Sequence, residues 1–452
     1  MKFHIKTFGC QMNVNESEIM KGLLTEEGLE WTENPAQADV ILLNTCSVRK
    51  KAEDKMYGAI GMYGKYKEKN KNLILGVGGC SAEKERESIL KKYHKVNFVF
   101  GTRNVVDIVN LVKRAKKERF YDFSDKLSEV SYQIPKIPNS KHHAWVTIQY
   151  GCNKYCTYCI VPYTRGLEKS RNFNDIINEV HDYAKKGFKE ITYLGQNVDS
   201  YGKDFGDGTP KLDKLIQEAG KIKGLERIWF TTSYPSDITD SLIKTIANEP
   251  KAAKYFHLPV QAGSNKVLKE MNRRYTREYF FDLVRRVKEN IIGVTTSSDI
   301  IVGFPGETDE DYEQTLDLIK RCRFEKVNVA EYSPREGTIA AKYKPDDIPK
   351  SIKNKRLMKI LELQKQINHE ENEKYAEKIV RVIQEGTTKQ GIHYGRTINN
   401  KMVMFDSNDE LNGKYIDVKV RRISAGPLYG EKITTELDHN FQSEDPTMKL
   451  FK

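Results

Sequence analysis

Three cysteines stand within ten residues and have a spacing that suits metal chemistry. In "YGCNKYCTYC", residues 150–159, Cys152, Cys156 and Cys159 are separated by gaps of three and two residues. Close thiolates bind zinc or iron–sulfur clusters, but structural zinc and electron-transfer clusters normally take four protein ligands. Three thiolates would leave one iron of a cluster open to an exchangeable ligand. The spacing therefore favours a cluster that does chemistry over one that only passes electrons.

No nearby histidine is well placed to complete a zinc site. His142 and His143 precede Cys152 in a predicted strand, and at about 3.3 Å per residue the strand carries them toward its opposite end. His181 lies in the helical sequence that follows. A zinc site completed by a distant ligand stays open as an alternative.

A second set of cysteines is dispersed through the first 120 residues. Cys10 follows "FHIKTFG", Cys46 follows "DVILLNT" and Cys80 follows "NLILGVGG", so each comes at the end of a predicted buried strand. In a parallel sheet those ends share one edge, which would bring the three sulfurs together. The alternative, that each is a small buried hydrophobe, is weakened by three cysteines sharing one topological position. Cys322, in "IKRCRFEK", has no such partner and is interpreted as structural.

The elements that must position these cysteines alternate between strand and helix. From residue 143 the predicted strands are "AWVTIQYG", "EITYLGQN", "RIWFTTSY", "YFHLPVQ", "SSDIIVGF" and "KVNVAEYS", with amphipathic helical segments between them. Such alternation predicts right-handed crossovers and a parallel sheet. Six repeats are too few for a closed eight-stranded barrel, so we expect a partial barrel or an open sheet.

Chemistry in such folds collects beyond the carboxyl ends of the strands. We expect cofactor or substrate contacts from the residues that fall there: Gln196, Asn197, Ser233, Gln261, Gly303 and Tyr332. In "GFPGETDEDYEQTL", Thr308 and Asp311 predict a capping box that opens a helix. Polar residues at strand ends also cap ordinary turns, which is the alternative for each.

Composition restricts the class of protein. The chain has 452 residues, with 38% hydrophobic and 31% charged residues, and no apolar run long enough for a membrane span. Its beginning lacks the apolar segment of a signal peptide, so we expect a cytoplasmic protein with reduced cysteines. The net charge of +12 suits a polyanionic partner, although a solvated lysine-rich surface explains it equally well.

The chain resembles the radical S-adenosylmethionine (SAM) methylthiotransferases. "CNKYCTYC" matches the signature of radical SAM enzymes, including an aromatic residue, Tyr158, before the last cysteine. "TFGCQMNVNESE", "LLNTCSVR" and "GVGGCSAEKER" resemble the N-terminal domain of the methylthiotransferases. "CTYCIVPYTRGLEKSR", "HLPVQAGSNKVLKEMNRRYT" and "DIIVGFPGETDEDYEQTL" resemble the MiaB branch, which acts on tRNA.

The resemblance implies two [4Fe–4S] clusters, one at each cysteine set, and replacement of a hydrogen on adenine C2 of N6-isopentenyladenosine by a methylthio group, at tRNA position 37. The cluster at Cys152, Cys156 and Cys159 would bind SAM, which on one-electron cleavage gives a 5′-deoxyadenosyl radical that removes the hydrogen. The cluster at Cys10, Cys46 and Cys80 would carry the sulfur, methylated by a second SAM. Tyr158 would contact the adenine of SAM through its backbone.

The sequence of residues 371–436 predicts short alternating strands, typical of a small antiparallel β-barrel. The family has an RNA-binding TRAM domain there. Four arginines are candidate RNA contacts: Arg273, Arg274, Arg421 and Arg422.

We expect an α/β fold throughout the first two domains, with an open parallel N-terminal domain (1–123), a linker (124–142) and a central partial (βα)6 radical SAM barrel (143–370). A TRAM barrel of OB-like type (371–436) and a tail (437–452) would follow.

The resemblance also implies partners: the tRNA anticodon loop, an electron donor such as flavodoxin or ferredoxin, and a source of sulfur. We expect a monomer. Two alternatives stay open at this point. One is a sibling methylthiotransferase that acts on threonylcarbamoyladenosine of tRNA or on an aspartate of a ribosomal protein. The other is a non-enzymatic, metal-bearing RNA-binding protein.

Overall fold

The first domain is built on a six-stranded parallel sheet. The computed structural model describes residues 1–47, 50–125, 134–209, 211–407, 413–433 and 445–450. The strands are β1 (Lys2–Phe8), β2 (Glu30–Trp31), β3 (Val40–Thr45), β4 (Ile74–Gly79), β5 (Phe98–Phe100) and β6 (Phe120–Asp122). Their order in the sheet is β2-β1-β3-β4-β5-β6. Strands β3 and β4 are buried along their whole length, as expected for a parallel sheet covered on both faces.

Helices cover both faces of this sheet. They are α1 (Gln11–Glu26), α2 (Lys50–Gly64), α3 (Tyr66–Lys69), α4 (Cys80–Glu85), α5 (Ser88–Lys92) and α6 (Ile108–Ala115). Apolar residues of α1 and α6 pack on one face, where Met20 and Ile108 are fully buried. Residues of α2, such as Met56, pack on the other.

The central domain is a six-stranded partial barrel, as expected, with a separate two-stranded ribbon. The barrel strands are β7 (His143–Thr147), β10 (Glu190–Leu194), β11 (Arg227–Phe230), β12 (Tyr255–His257), β13 (Thr295–Val302) and β14 (Lys326–Glu331), and the ribbon strands are β8 (Gln149–Tyr150) and β9 (Lys169–Ser170). Two parallel groups, β7-β10-β11 and β12-β13-β14, are linked by a parallel bridge from Ile228 to Ala252. Strands β8 and β9 form a small antiparallel ribbon beside the cysteine loop.

The helices of this domain enclose one large apolar core. They are α7 (Val161–Arg165), α8 (Phe173–Lys185), α9 (Leu212–Gly220), α10 (Asp240–Asn248), α11 (Asn265–Glu270), α12 (Arg277–Asn290), α13 (Asp309–Cys322), α14 (Ile339–Tyr343) and α15 (Lys350–Asn372). Helix α13 begins with the predicted capping box, because Thr308 and Asp311 exchange side chain–backbone hydrogen bonds. Cys322 is 1% exposed within the core, which agrees with a structural role.

The last domain is a closed five-stranded barrel. It comprises β15 (Ile379–Thr387), β16 (His393–Arg396), β17 (Met402–Asp406), β18 (Tyr415–Arg422) and β19 (Leu428–Lys432), in the order β15-β16-β17-β19-β18. The pair β17–β19 is parallel, so the expectation of a purely antiparallel barrel is wrong in that one pair. With an odd number of strands, directions cannot alternate all the way around a closed barrel.

This small barrel docks on the amino ends of the central strands. The backbone carbonyls of Ile398 and Asn399 accept hydrogen bonds from the Lys254 amide (2.9 Å) and the Thr295 hydroxyl (2.5 Å). Arg227, 1% exposed at the start of β11, donates to the carbonyl of Arg396 at 2.8 Å. Since the predicted catalytic cysteines follow the carboxyl ends of strands, the barrel lies at the opposite end of the central domain.

The described parts of the predicted linker and tail are packed against the domains. Residues 126–133, 437–444 and 451–452 of these two segments lie outside the described residues. Ile137 donates its amide to the Glu18 carbonyl of α1 at 3.1 Å. In the tail, α16 (Pro446–Lys449) is held by Thr447, whose hydroxyl accepts from the Arg381 amide at 2.9 Å. Within the described ranges, no helix is long and apolar enough to cross a membrane.

The close approach of the linker to α1 gives a test of this packing. A methyl group added at Gly22 would meet the backbone of Pro135 and Lys136, with the Lys136 nitrogen at 2.6 Å. Gly61, in α2, has nothing within 4 Å of the same position. Alanine normally stabilises a helix interior by about 0.5–1 kcal/mol relative to glycine. We therefore expect Gly61→Ala to raise the free energy of unfolding by about that amount and Gly22→Ala to lower it.

Urea unfolding of the two variants measures the difference. Equal stabilisation by both substitutions would show that the linker does not press on α1.

Candidate functional site

The three dispersed cysteines converge at the carboxyl edge of the first sheet. Cys10, Cys46 and Cys80 directly follow β1, β3 and β4, which are neighbours in the sheet. A hydrogen bond links the side chains of Cys10 and Cys46, and the charge of Cys10 contributes to the raised pKa of Cys80. Cys46 and Cys80 are each 3% exposed. The structure thus brings together the set that strand topology predicted.

Arg165, from the central domain, reaches into this cysteine set. It ends α7 and is 5% exposed, and its Nε donates to the Cys80 sulfur at 3.2 Å. Its Nη1 pairs with Glu16 of α1 at 2.5 Å. Its Nη2 is buried with no hydrogen-bond partner among the described residues, so one donor beside the sulfurs is available to a ligand.

A polar surface of α1 lies beside the same cysteine set. Five of the six residues from position 13 to 18 are polar, and each is at most 8% exposed: Asn13, Asn15, Glu16, Ser17 and Glu18. The Asn15 amide donates to the Thr147 hydroxyl of β7 at 2.9 Å. The helix is therefore enclosed between the first sheet and the central domain, and its polar residues serve the contact between them.

The other cysteines lie in a loop that the central domain holds from several sides. Gly151 has φ of +73°, and a Cβ there would collide with the carbonyl of Leu167, so the turn into the loop needs glycine. The Cys152 amide donates to the Gly166 carbonyl at 3.2 Å. Asn272 donates its amide to the Tyr155 carbonyl at 2.9 Å. The loop is preformed by these contacts.

Two adjacent residues, Arg165 and Gly166, contact the two cysteine sets. The side chain of Arg165 touches Cys80, and the carbonyl of the next residue, Gly166, accepts from the amide of Cys152. Both sets therefore lie where the first domain meets the central domain, each beyond the carboxyl ends of strands of its own domain.

Arg273 is a buried side chain that contacts the cysteine loop. It is 6% exposed, and its guanidinium stacks between the rings of Tyr234 (4.3 Å) and Tyr275 (5.1 Å). Its Nη1 donates to the Cys156 sulfur at 3.4 Å. Arg273 was expected on an RNA-binding surface, and its burial corrects that placement, because a phosphate cannot reach it.

The pKa values of the cysteines indicate what each set needs. Burial raises the pKa of Cys80 and Cys152 to about 11 and that of Cys159 to about 12. The hydrogen bond with Cys46 holds the pKa of Cys10 well below its usual value. The thiols of Cys80, Cys152 and Cys159 therefore stay protonated at neutral pH, and the positive charge of a bound metal group would favour their thiolate forms.

Two sets of three sulfurs, each beside a buried arginine, fit iron–sulfur clusters. Within the described ranges, no three His, Cys, Asp or Glu side chains converge on a point as one metal ion would require. In a cluster each cysteine binds a different iron, so the sulfurs need not converge. His143 is turned to the Thr192 hydroxyl at 2.7 Å, at the far end of β7, and does not reach the loop.

Six of the seven predicted cofactor contacts lie beyond strand ends, and Tyr158 lies in the cysteine loop. Two of the six offer buried polar atoms that have no hydrogen-bond partner among the described residues, the Asn197 Oδ1 and the Tyr332 hydroxyl. Gln196 accepts from the Gly151 amide at 2.5 Å, and Ser233 donates to Asp199 at 3.2 Å. The remaining three predicted cofactor contacts are Tyr158, packed against the core, Gln261 (φ +77°) and Gly303, whose amide donates to Glu307 at 2.7 Å.

The remaining predicted RNA contacts occupy different surroundings. Arg274 is exposed at the carboxyl end of the central strands. Arg421 is paired with Glu377 (2.7 Å) and Glu431 (2.5 Å), and Arg422 stacks on Tyr429 at 3.7 Å. An RNA contact by any of them stays a prediction.

Several residues at the site were not predicted from the sequence. Arg165 and Glu16 lie far apart in sequence, and "NVNESE" looks like the solvated face of a helix. Lys154, in the cysteine loop, forms an ion pair with Asp237 at 2.5 Å, and Asp237 accepts a hydrogen bond from Asn197 at 2.6 Å. The one signal present for Arg165 was its place in "CTYCIVPYTRGLEKSR", a segment that resembles the MiaB branch.

Three family profiles match the chain, one to each domain. They are described as "Uncharacterized protein family UPF0004" over residues 2–101, "Radical SAM superfamily" over 146–319 and "TRAM domain" over 373–433. The partial barrel and the three-cysteine loop thus define a radical SAM enzyme. The superfamily implies a [4Fe–4S] cluster and SAM as cofactors, and the TRAM domain together with the relatives below implies binding of tRNA.

Curated relatives extend over almost the whole chain. One from Petrotoga mobilis, named "tRNA-2-methylthio-N(6)-dimethylallyladenosine synthase", is 69% identical over 96% of this chain and 99% of its own length. Others from Thermotoga petrophila (52%, covering 96% and 98%) and Thermosipho melanesiensis (53%, covering 96% and 99%) carry the same name. The chain belongs to the family of tRNA-2-methylthio-N(6)-dimethylallyladenosine synthases.

Solved structures support the fold. The radical SAM methyltransferase TsrM from Kitasatospora setae has a TM-score of 0.53 at 12% identity, over 73% of this chain and 72% of its own. The cobalamin-dependent radical SAM enzyme OxsB has a TM-score of 0.52 at 14% identity, over 80% and 56%.

The Arg165–Glu16 pair predicts strong coupling between the first two domains. Arg165→Met would leave a buried carboxylate without its partner, so we expect a loss of about 3 kcal/mol or more in the free energy of unfolding. The double variant Arg165→Met/Glu16→Gln removes both charges and should lose less than the sum of the two single variants, by about 1–3 kcal/mol.

Denaturant unfolding of the reduced chain, followed by tryptophan fluorescence, measures the cycle. Arg285→Met is the control, because Arg285 is 58% exposed and its ion pairs are worth under about 1 kcal/mol. Additive effects, or an Arg165→Met variant as stable as this control, would contradict the buried contact.

Proposed function

We propose that this chain converts N6-isopentenyladenosine at position 37 of tRNA to its 2-methylthio derivative. The observation that carries the proposal is that six cysteines form two sets of three, both at the contact between the first and central domains. The names of the curated relatives support this substrate over threonylcarbamoyladenosine or a ribosomal protein, and they support an enzyme over a non-enzymatic RNA-binding protein.

We further propose that each cysteine set holds one [4Fe–4S] cluster. Cys152, Cys156 and Cys159 would hold the cluster that the superfamily implies, and Cys10, Cys46 and Cys80 the second. Support for the second comes from its burial, from the raised pKa of Cys80 and from the Nη2 of Arg165, which has no hydrogen-bond partner among the residues that the structure describes. Three sulfurs at each set leave room for an exchangeable ligand.

The target bond explains why such cofactors are needed. The hydrogen on adenine C2 is neither acidic nor easily attacked, so general acid–base catalysis cannot activate it. When bound, SAM and the two clusters would supply a carbon radical and an activated sulfur. The protein's own part is to hold these groups, orient the base and exclude water.

The residues beside the two cysteine sets suit that part. Arg165 and Arg273 each donate a hydrogen bond to one sulfur, Cys80 in one set and Cys156 in the other. Asn197 and Tyr332 present polar atoms that have no hydrogen-bond partner among the described residues and that can bind the polar groups of SAM or the nucleoside. Cys46, Cys80 and Cys156 are under 9% exposed, so three of the six sulfurs are shielded from water.

The reaction requires partners beyond tRNA. An electron donor such as flavodoxin or ferredoxin would reduce the cluster, and a sulfur source would replenish the second one. We propose that the enzyme acts as a monomer in the cytoplasm, where tRNA is processed, with domain limits at 1–123, 143–370 and 371–436.

Nucleoside mass spectrometry of tRNA tests the function. The anaerobically reconstituted chain, with SAM and a reductant, should form 2-methylthio-N6-isopentenyladenosine on tRNA that carries isopentenyladenosine. The variant with Cys152, Cys156 and Cys159 changed to alanine should not cleave SAM. The variant with Cys10, Cys46 and Cys80 changed to alanine should cleave SAM reductively but transfer no sulfur.

Formation of a methylthio derivative only on threonylcarbamoyladenosine would overturn the substrate assignment. Sulfur transfer by the second triple variant would remove the proposed role of the first domain.

A further inference from the structure

A group of exposed aromatic and aliphatic side chains surrounds the mouth of the cysteine loop. Tyr155 lies inside the loop and is 36% exposed, and Tyr163 and Leu167 follow it at 48% and 63%. On the other side α14 contributes Ile339 at 37% and Tyr343 at 69%. Five of the large exposed hydrophobic side chains of the described residues thus lie at one end of the central domain. We call this set the mouth patch.

Direct contacts show that the mouth patch is built on the cysteine loop. The rings of Tyr155 and Tyr163 meet edge to face, with centroids 6.3 Å apart. The Ala340 amide of α14 donates to the Thr157 carbonyl, between Cys156 and Cys159, at 2.8 Å. The patch therefore moves with the loop as one unit.

Positive charge accompanies the aromatic side chains. Lys342 is exposed on α14 and its ammonium group lies 5.0 Å from the centre of the Tyr343 ring. Lys169 is exposed in β9, beside Leu167. Aromatic faces with interspersed lysines are the composition that binds single-stranded nucleic acid, by stacking on bases and neutralising phosphates.

The position of the TRAM barrel shows why the mouth needs its own RNA contacts. That barrel docks at the amino ends of the central strands, whereas the mouth patch lies at their carboxyl ends. The eight residues of β13 alone span about 26 Å at 3.3 Å per residue. A tRNA held by the TRAM barrel therefore needs a second surface that receives the bases next to the cysteines.

We infer that the mouth patch is a stacking platform for bases of the tRNA anticodon loop that flank the modified adenosine. Tyr163 and Tyr343 stack on bases that leave the loop, and Lys342 contacts a phosphate. The inference rests on the proposed function, since it assumes that tRNA is the substrate. It adds the surface that presents the target base.

The test uses a short anticodon stem–loop RNA that contains isopentenyladenosine, with 2-aminopurine at the adjoining position. Binding to the reconstituted full chain is measured by anisotropy, and stacking by quenching of 2-aminopurine. Tyr163→Ala and Tyr343→Ala should each weaken binding about tenfold, because one stacked base is worth roughly 1–3 kcal/mol. The corresponding Phe variants keep the ring and should stay within about twofold of the wild type.

Salt dependence separates stacking from charge. The alanine variants should keep the slope of log affinity against log salt, whereas Lys342→Gln should reduce it by about 0.7. Tyr121→Ala is the matched control, since Tyr121 is 52% exposed but lies on β6 of the first domain. It should bind as the wild type does. Iron content confirms that each variant holds its clusters.

Modification of the same RNA by the wild type tests the proposed function separately. If the wild type modifies the RNA but both alanine variants bind it within twofold of the wild type, the platform is refuted. If the alanine variants instead lose reduction by a flavodoxin-type donor while RNA affinity is unchanged, the patch binds a protein and the inference is wrong.

Discussion

The contact of Arg165 with Cys80 and Glu16 is the interaction on which the arrangement of this molecule depends. It places a side chain of the central domain inside the cysteine set of the first domain, at 5% exposure. Burying such a pair costs desolvation energy that its attraction offsets only when the geometry is good. We interpret the pair as an interaction that fixes one relative orientation of the two domains. The next residue, Gly166, accepts a hydrogen bond from the Cys152 amide and so links the second cysteine set to the same segment.

That orientation makes two ordinary sheets face each other at their carboxyl edges. Each edge is where loops of a parallel sheet bind ligands, and here both edges lie at the contact between the two domains. The polar side of α1 lies at this contact, with Asn15 bonded to Thr147 across the boundary. The TRAM barrel docks at the opposite end of the central domain through Arg227 and Thr295.

Local sequence patterns were sufficient for the framework and for the cysteines. Strand alternation placed Cys10, Cys46 and Cys80 on one edge, and the capping residues Thr308 and Asp311 placed the start of α13. The rest depended on contacts between distant segments. Nothing in "NVNESE" distinguishes a helix face that is buried by another domain from one that is solvated. Arg273 looked like a surface cation for the same reason, because its partners Tyr234 and Cys156 are supplied by other loops.

The central claim is that the chain holds two [4Fe–4S] clusters, each bound by three cysteine thiolates, and iron counting tests it most directly. The anaerobically reconstituted chain should contain about eight iron and eight sulfide atoms, four for each [4Fe–4S] cluster. Each of the two triple-cysteine variants should retain about half, with the remaining cluster intact by spectroscopy. A wild-type chain that holds about four iron atoms, or stoichiometric zinc in place of iron, would contradict the account.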